Sequence, residues 1–311
     1  MKRSSPLLSV AGIVLAFVLS AAPATAATRT WVSGKGSDAN ACTLAAPCRT
    51  FAFAITQTAD GGEIDVLDPA GYGALNITKS ISIVNDGVGE AGVQAGAGAT
   101  AVTINAPADA VVHLRGLTIE GANSALNGVQ FVSGASFEML NCVVRHFTLI
   151  GIWLNPNTTS AFSIANTTVS DNGSVGIYIL PQGSAGINGI ISGVTANNNN
   201  NGIVRSAETT SGKVTVTVVN SLVENNNSGF VSAVGDWYQS NLVLRNVTSN
   251  GNNIGVLAYS GGTIWLSQSV VAGNSTGIQI LDSSTVYTYQ DNEIGANGTD
   301  ISGTLTPRSY Y

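Results

Sequence analysis

Charge is scarce in this chain: 10% of its 311 residues are charged and two are histidine. Ionisable chemistry is therefore concentrated at a few positions. Long apolar runs are absent after the first 26 residues, so no transmembrane helix is expected there. The opening segment differs, with Lys2 and Arg3, an apolar run from Leu7 to about Ala22, and Ala24-Thr25-Ala26 as a small-residue cleavage site. This pattern predicts a secretory signal peptide over residues 1–26 and a secreted, periplasmic or cell-surface protein. Beyond it ten basic residues face eighteen acidic ones, a balance near −8 that argues against nucleic acid and anionic membranes. It also opposes an anionic polysaccharide unless a cation mediates.

Only three cysteines occur, and in an exported chain the closely spaced Cys42 and Cys48 are expected to form a disulfide. Amphipathic helical repeats are absent as well. What is present instead is one pattern repeated eight times between residues 112 and 301, with a period of 22 to 28 residues. Its first column reads Gly116, Asn141, Asn166, Ser192, Asn220, Asn246, Gln268 and Asp291. Six places later stand Asn172, Asn198, Asn226, Asn252, Asn274 and Asn297, followed by a glycine column, Gly128, Gly151, Gly176, Gly202, Gly229, Gly255 and Gly277.

Each period holds three short stretches of period-two alternation, the mark of half-buried strands. Three strands and their turns use up a coil of this length, and a lone coil cannot bury its inner residues. Stacked coils can, through ladder hydrogen bonds and a continuous core. The expected fold is all-β, a right-handed parallel β-helix of about ten coils. Asparagine suits its corners because it both donates and accepts between coils and tolerates the left-handed conformation of a tight bend. Cys142 shares an inward column with Leu117, Thr167, Ser221, Val247 and Ser269, which predicts a buried, inert thiol. The open end of the solenoid needs a cover, and an amphipathic helix over about 49–58, with Phe51, Ala54 and Ile55 on one face, supplies it. The domains read as signal peptide 1–26, cap 27–62 and β-helix 63–311, with the Gly-Ala-rich stretch 87–100 the least regular.

The string from Trp31 to Asn40, with Thr43, Pro47, Arg49-Thr50-Phe51 and the apolar helix after it, resembles the opening of many bacterial β-helix proteins of the pectate-lyase-like superfamily. The stretches 62–66 and 76–83 are similar to that superfamily's first coils. The resemblance implies the β-helix fold and a choice among lyases, galacturonases, esterases, epimerases, tailspikes and adhesins, which fold alone does not make. Calcium-dependent lyases of the superfamily carry clustered acids and a Lys or Arg base, and its epimerases an Asp-Pro-His-Glu string. Neither pattern occurs here: no cofactor is indicated, and calcium is left open without a motif for it.

Column arithmetic singles out a few positions. Four and five places past the first column, Glu120 should approach Arg145, and His146 should approach Asp171. A carboxylate beside an imidazole orients a general base, so Arg145, His146 and Asp171 are candidate catalytic residues; surface ion pairs on a turn are the plain alternative. In the strand after the glycine column Trp153 and Tyr178 should lie side by side on the outside, a surface for sugar rings unless loops cover it. Arg205 sits where other coils place an apolar residue, so it must turn outward or find a buried partner. With the loop residues Asp236, Trp237 and Tyr238 it completes the candidate ligand contacts. The sequence thus points to a polysaccharide-contacting protein, with a non-enzymatic surface or adhesion role as the main rival and a polysaccharide lyase or hydrolase as the lesser one.

Overall fold

The computed structural model describes residues 26–233 and 240–310. Three parallel sheets of twelve, ten and ten strands wrap the chain into a β-helix. In each coil the first face is the strand before the first asparagine column, as in Ser160–Ala165, the second is a three-residue strand such as Thr168–Ser170, and the third follows the glycine column, as in Val175–Ile179. Every pairing is parallel and joins equivalent strands of successive coils. The solenoid is the one the period predicts.

Its interior is filled by alternate side chains. Phe137 and Met139 pair in register with Phe162 and Ile164 on the first face, and all four are buried. The first asparagine column makes the corner between the first and second faces: Asn141, Asn166, Asn220 and Asn246 all adopt φ near +50°. The next corner carries the buried ladder. Each Oδ1 accepts the backbone N–H of the equivalent residue one coil earlier, from Phe147 N to Asn172 at 3.2 Å through Asn172 to Asn199, Asn199 to Asn226, Asn226 to Asn252, Asn252 to Asn274 and Asn274 to Asn297. The member in the longest coil is Asn199, not Asn198. There Gly193, at φ 62°, takes the left-handed corner in place of Ser192, and the count shifts by one. A Cβ on Gly255 would meet the Gly277 carbonyl at 2.7 Å, which is why this column admits no side chain.

The N-terminal cover forms as expected. The helix Phe51–Gln57 buries Phe51, Ala54 and Ile55, and the Thr50 hydroxyl caps it by accepting from Phe53 N–H. Asp38 holds the helix entrance by accepting from the amides of Arg49 and Thr50 and from the Thr50 hydroxyl. Cys42 and Cys48 form the disulfide of the preceding loop. The cap is continuous with the solenoid, because Ala27–Val32 pairs with Thr58–Val66 in the first-face sheet and residues 62 and 63 both lie inside that strand. Within 87–100 the strand Ala91–Gln94 joins the second face and buries Val93. Residues 1–25, which hold most of the expected signal peptide, and Asp236, Trp237 and Tyr238 lie outside the described residues.

Candidate functional site

Register brings Arg145 beside Glu120, and Arg145 Nε donates to Glu120 Oε2 at 2.9 Å. His146 does not reach Asp171. Its Nδ1 lies 2.9 Å from Glu120 Oε1, which also accepts the Ala122 N–H at 2.9 Å, while Asp171 accepts from Asn198 Nδ2 at 3.2 Å. The cause is local. His146 and Asp171 both occupy left-handed corner positions, and the equivalent place one coil below His146 is Gly121, which leaves the ring room to lean toward Glu120. Burial works to raise the Glu120 carboxyl, but the Ala122 amide, Arg145 and His146 outweigh it and hold the group below the ordinary glutamate range. Its contribution to stability is therefore complete above that ordinary range and is lost as pH falls through the lower folded value. Glu120→Gln should flatten the acid limb of an unfolding profile at pH 3–5, and an unaltered limb would show that the corner contributes nothing.

This corner ties one coil to the next. The chain's second histidine is held the same way, with His113 Nδ1 2.7 Å from Glu138 Oε2 across two coils of the first face. No group of three or more His, Cys, Asp or Glu that could hold a metal ion occurs among the described residues. Cys142 is buried, and burial pushes its thiol up to about 11, so it behaves as core.

Arg205 lies inside the solenoid, with a buried partner and not turned outward. It pairs with Ile179 on one side and Ser232 on the other, keeps the inward register of its column, and is 0% exposed. Its Nη2 donates to Ser232 Oγ at 2.6 Å and to the Ser240 carbonyl at 3.2 Å, whereas Nε and Nη1 have no partner among the described residues.

Two grooves on the outside are lined by aromatic side chains. On the third face Trp153 and Tyr178 are paired as expected, and the column continues through Val204, Val231 and Leu257. With Ile150, Val175 and Tyr259 they form an apolar cluster separate from the core. A depression of about 490 Å³ opens over Tyr178, Val175, Val204, Val231, Leu257 and Tyr259, with Ser174 and Asn201 on its rim.

The first face carries the second groove, which the sequence reading did not foresee. One stretch of about 480 Å³ is lined by Thr159, Ser160, Ser184, Asn188, Lys213 and Thr215 among others. The next, of about 360 Å³, shares Lys213 and Thr215 and continues over Asn241, Val243, Trp265, Ser267 and Tyr289. Its far end is an aromatic platform. Trp265 lies 4.2 Å from Tyr287 between ring centroids, Tyr289 stacks on Tyr310 at 4.3 Å, and the Arg308 guanidinium covers Tyr287 at 4.5 Å. Trp265 Nε1 donates to Asn241 Oδ1 at 3.1 Å and fixes the indole. The available signal was alternation: Trp265 stands between inward Ile264 and Leu266, so it must face out, and its column neighbour is Tyr287.

No family profile matches the chain, and no curated protein matches it. Solved structures do. Pectate lyase Pel9A superposes with a TM-score of 0.60 at 16% identity, over 88% of this chain and 80% of that one. An alginate lyase from Paenibacillus sp. gives 0.56 at 16% identity over 90% of this chain and all of the other, and a pectin methylesterase from carrot gives 0.52 at 11% over 91% and 88%. At these identities the likeness is one of fold: the chain has the parallel β-helix architecture of the pectate lyase, the alginate lyase and the pectin methylesterase.

Proposed function

We propose that this chain binds an extended polysaccharide along the outside of its first face. The observation that carries the reading is the first-face groove, which crosses successive coils, is lined by hydroxyls and amides, and ends on the Trp265 platform. Sugar rings present C–H faces to an aromatic plane and hydroxyls to such polar rims. Among the described residues Lys213 is the one charged side chain in that lining and makes no ion pair, so an acidic sugar unit fits beside it. The negative balance of the whole chain opposes an anionic polymer at long range, but a charge in direct contact outweighs it within a Debye length of about 8 Å. Two solved structures of the same fold are named for pectate and alginate, which supports the polymer class. Export through residues 1–26 would place the protein among such polymers.

Binding rather than turnover is the favoured role, because the described residues of the groove lining include neither a carboxylate pair nor a histidine. Elimination at a uronate is the second reading, with the Lys213 amine as the group that would face the uronate. Affinity electrophoresis through polygalacturonate, alginate and a neutral glucan separates these. Trp265→Ala should weaken retention roughly 10-fold or more, as loss of a central aromatic anchor does. Lys213→Met should weaken retention by the acidic gels alone. Retention unchanged in both variants would refute the groove. Release of products with the ultraviolet absorbance of an unsaturated uronate, lost in Lys213→Met, would establish the second reading instead.

A further inference from the structure

Lys213 is the charge in the first-face lining, and a second cation stands just past the aromatic end of that groove. The short strand Thr306–Pro307 pairs with Tyr287 and Thr288, and the Arg308 N–H continues that ladder by donating to the Thr288 carbonyl at 2.9 Å. From there the Arg308 guanidinium lies over Tyr287, 4.5 Å from the ring centroid, and Tyr287 in turn lies 4.2 Å from Trp265. Arg308 is thus mounted on the platform. It is exposed, and it makes no ion pair among the described residues, although acids outnumber bases in the chain. Asp291 is already occupied by the Tyr310 hydroxyl, which donates to it at 2.6 Å.

A guanidinium that rests on a ring by its face keeps its N–H donors free around its edge. The ring also restrains a long side chain, so little freedom is lost when the fork closes on a ligand. A carboxylate fits that fork, accepting two parallel hydrogen bonds. Lys213 leads into the first-face strand Val214–Val219, and Arg308 follows Thr306–Pro307, four strands further along the same sheet. The two cations are therefore about 19 Å apart along the solenoid axis. We infer, resting on the polysaccharide reading above, that Arg308 is a second carboxylate contact of the first-face groove. The ligand is then a run of acidic sugars long enough to reach Arg308 and Lys213 together. A shorter run engages one cation at a time. A run that spans both makes its second contact within the same complex, so affinity rises in a step and not evenly with length.

The test is a calorimetric titration of the whole protein with oligogalacturonates of increasing length. Wild-type affinity should rise at least about 10-fold at the length that first spans the two cations. Arg308→Gln, an exposed change just beyond the last strand, should abolish that step and leave the shortest oligomers nearly unchanged. A step that persists in Arg308→Gln would overturn the inference, as would an affinity that climbs evenly with length in the wild type. If Trp265→Ala still weakens retention in those cases, the groove stands and only the part assigned to Arg308 falls. No binding at any length would remove both.

Discussion

Asn226→Ala is expected to lower the unfolding free energy by about 3–5 kcal/mol, far more than an asparagine on the neighbouring corner. Asn226 is 4% exposed, and its Oδ1 accepts both the Asn199 N–H at 2.9 Å and the Asn199 Nδ2 at 3.3 Å. Its own Nδ2 donates to the Ala196 and Glu224 carbonyls and to Asn252 Oδ1. Truncation strands the Asn199 amide in a corner where water has no place to replace it, and it interrupts the ladder in mid-stack. Asn246→Ala is the control. Asn246 is exposed, makes one ladder bond to Asn220 at 2.7 Å, and holds a φ of 51°, so alanine there should cost only about 1–2 kcal/mol, mainly as left-handed strain. Guanidinium midpoints of the two variants measure the difference. Equal losses would mean that the buried ladder adds nothing beyond its turn geometry.

That contrast also marks what the sequence could and could not convey. Both corners read as asparagine columns, and the repeat was legible because every coil solves the same two problems with the same residue type. Which corner is buried was not legible from spacing alone. The slip from Asn198 to Asn199 has one origin: glycine in Gly193 can take the left-handed place that asparagine marks elsewhere, so counting from Ser192 misleads by one residue. Facing pairs in strands, such as Trp153 with Tyr178, followed from alternation because register leaves a strand side chain two choices. His146 lies on a corner, where the side chain's direction depends on its neighbours' bulk, and its preference for Glu120 over Asp171 was outside the reach of column arithmetic. The first-face groove was overlooked for another reason. Apart from Lys213 its polar lining consists of Ser, Thr and Asn, the same residues that the repeat uses everywhere, so only that lysine and the Trp265–Tyr287 step depart from background.

Arg205 shows which of two local rules prevails, and its replacement should have the opposite sign to that of Asn226. Charge preference would turn it outward, but strand register turns it inward, between Ile179 and Ser232, and register wins because a slip would expose the whole apolar set of the strand. The guanidinium keeps two bonds through Nη2, and among the described residues Nε and Nη1 are unpartnered and no carboxylate is bonded to it. Arg205→Met keeps the length and removes the buried charge, so it should stabilise the fold by about 1–4 kcal/mol. Burial pushes the Arg205 pKa down to about 10. Because that folded value lies below the unfolded one, the unfolded chain holds the proton more tightly, and the penalty is complete below about 10 and relieved as pH rises above it. The stability advantage of Arg205→Met over wild type should therefore be constant at neutral pH and shrink above pH 10, a difference in which the tyrosines and lysines common to both proteins cancel. Arg205→Ala should lose part of the gain to the cavity it opens. A lower midpoint for Arg205→Met than for wild type would mean that the bonds to Ser232 and Ser240 outweigh the cost of burying the charge, and that this arginine is a structural tie across the two residues flanking segment 233–239.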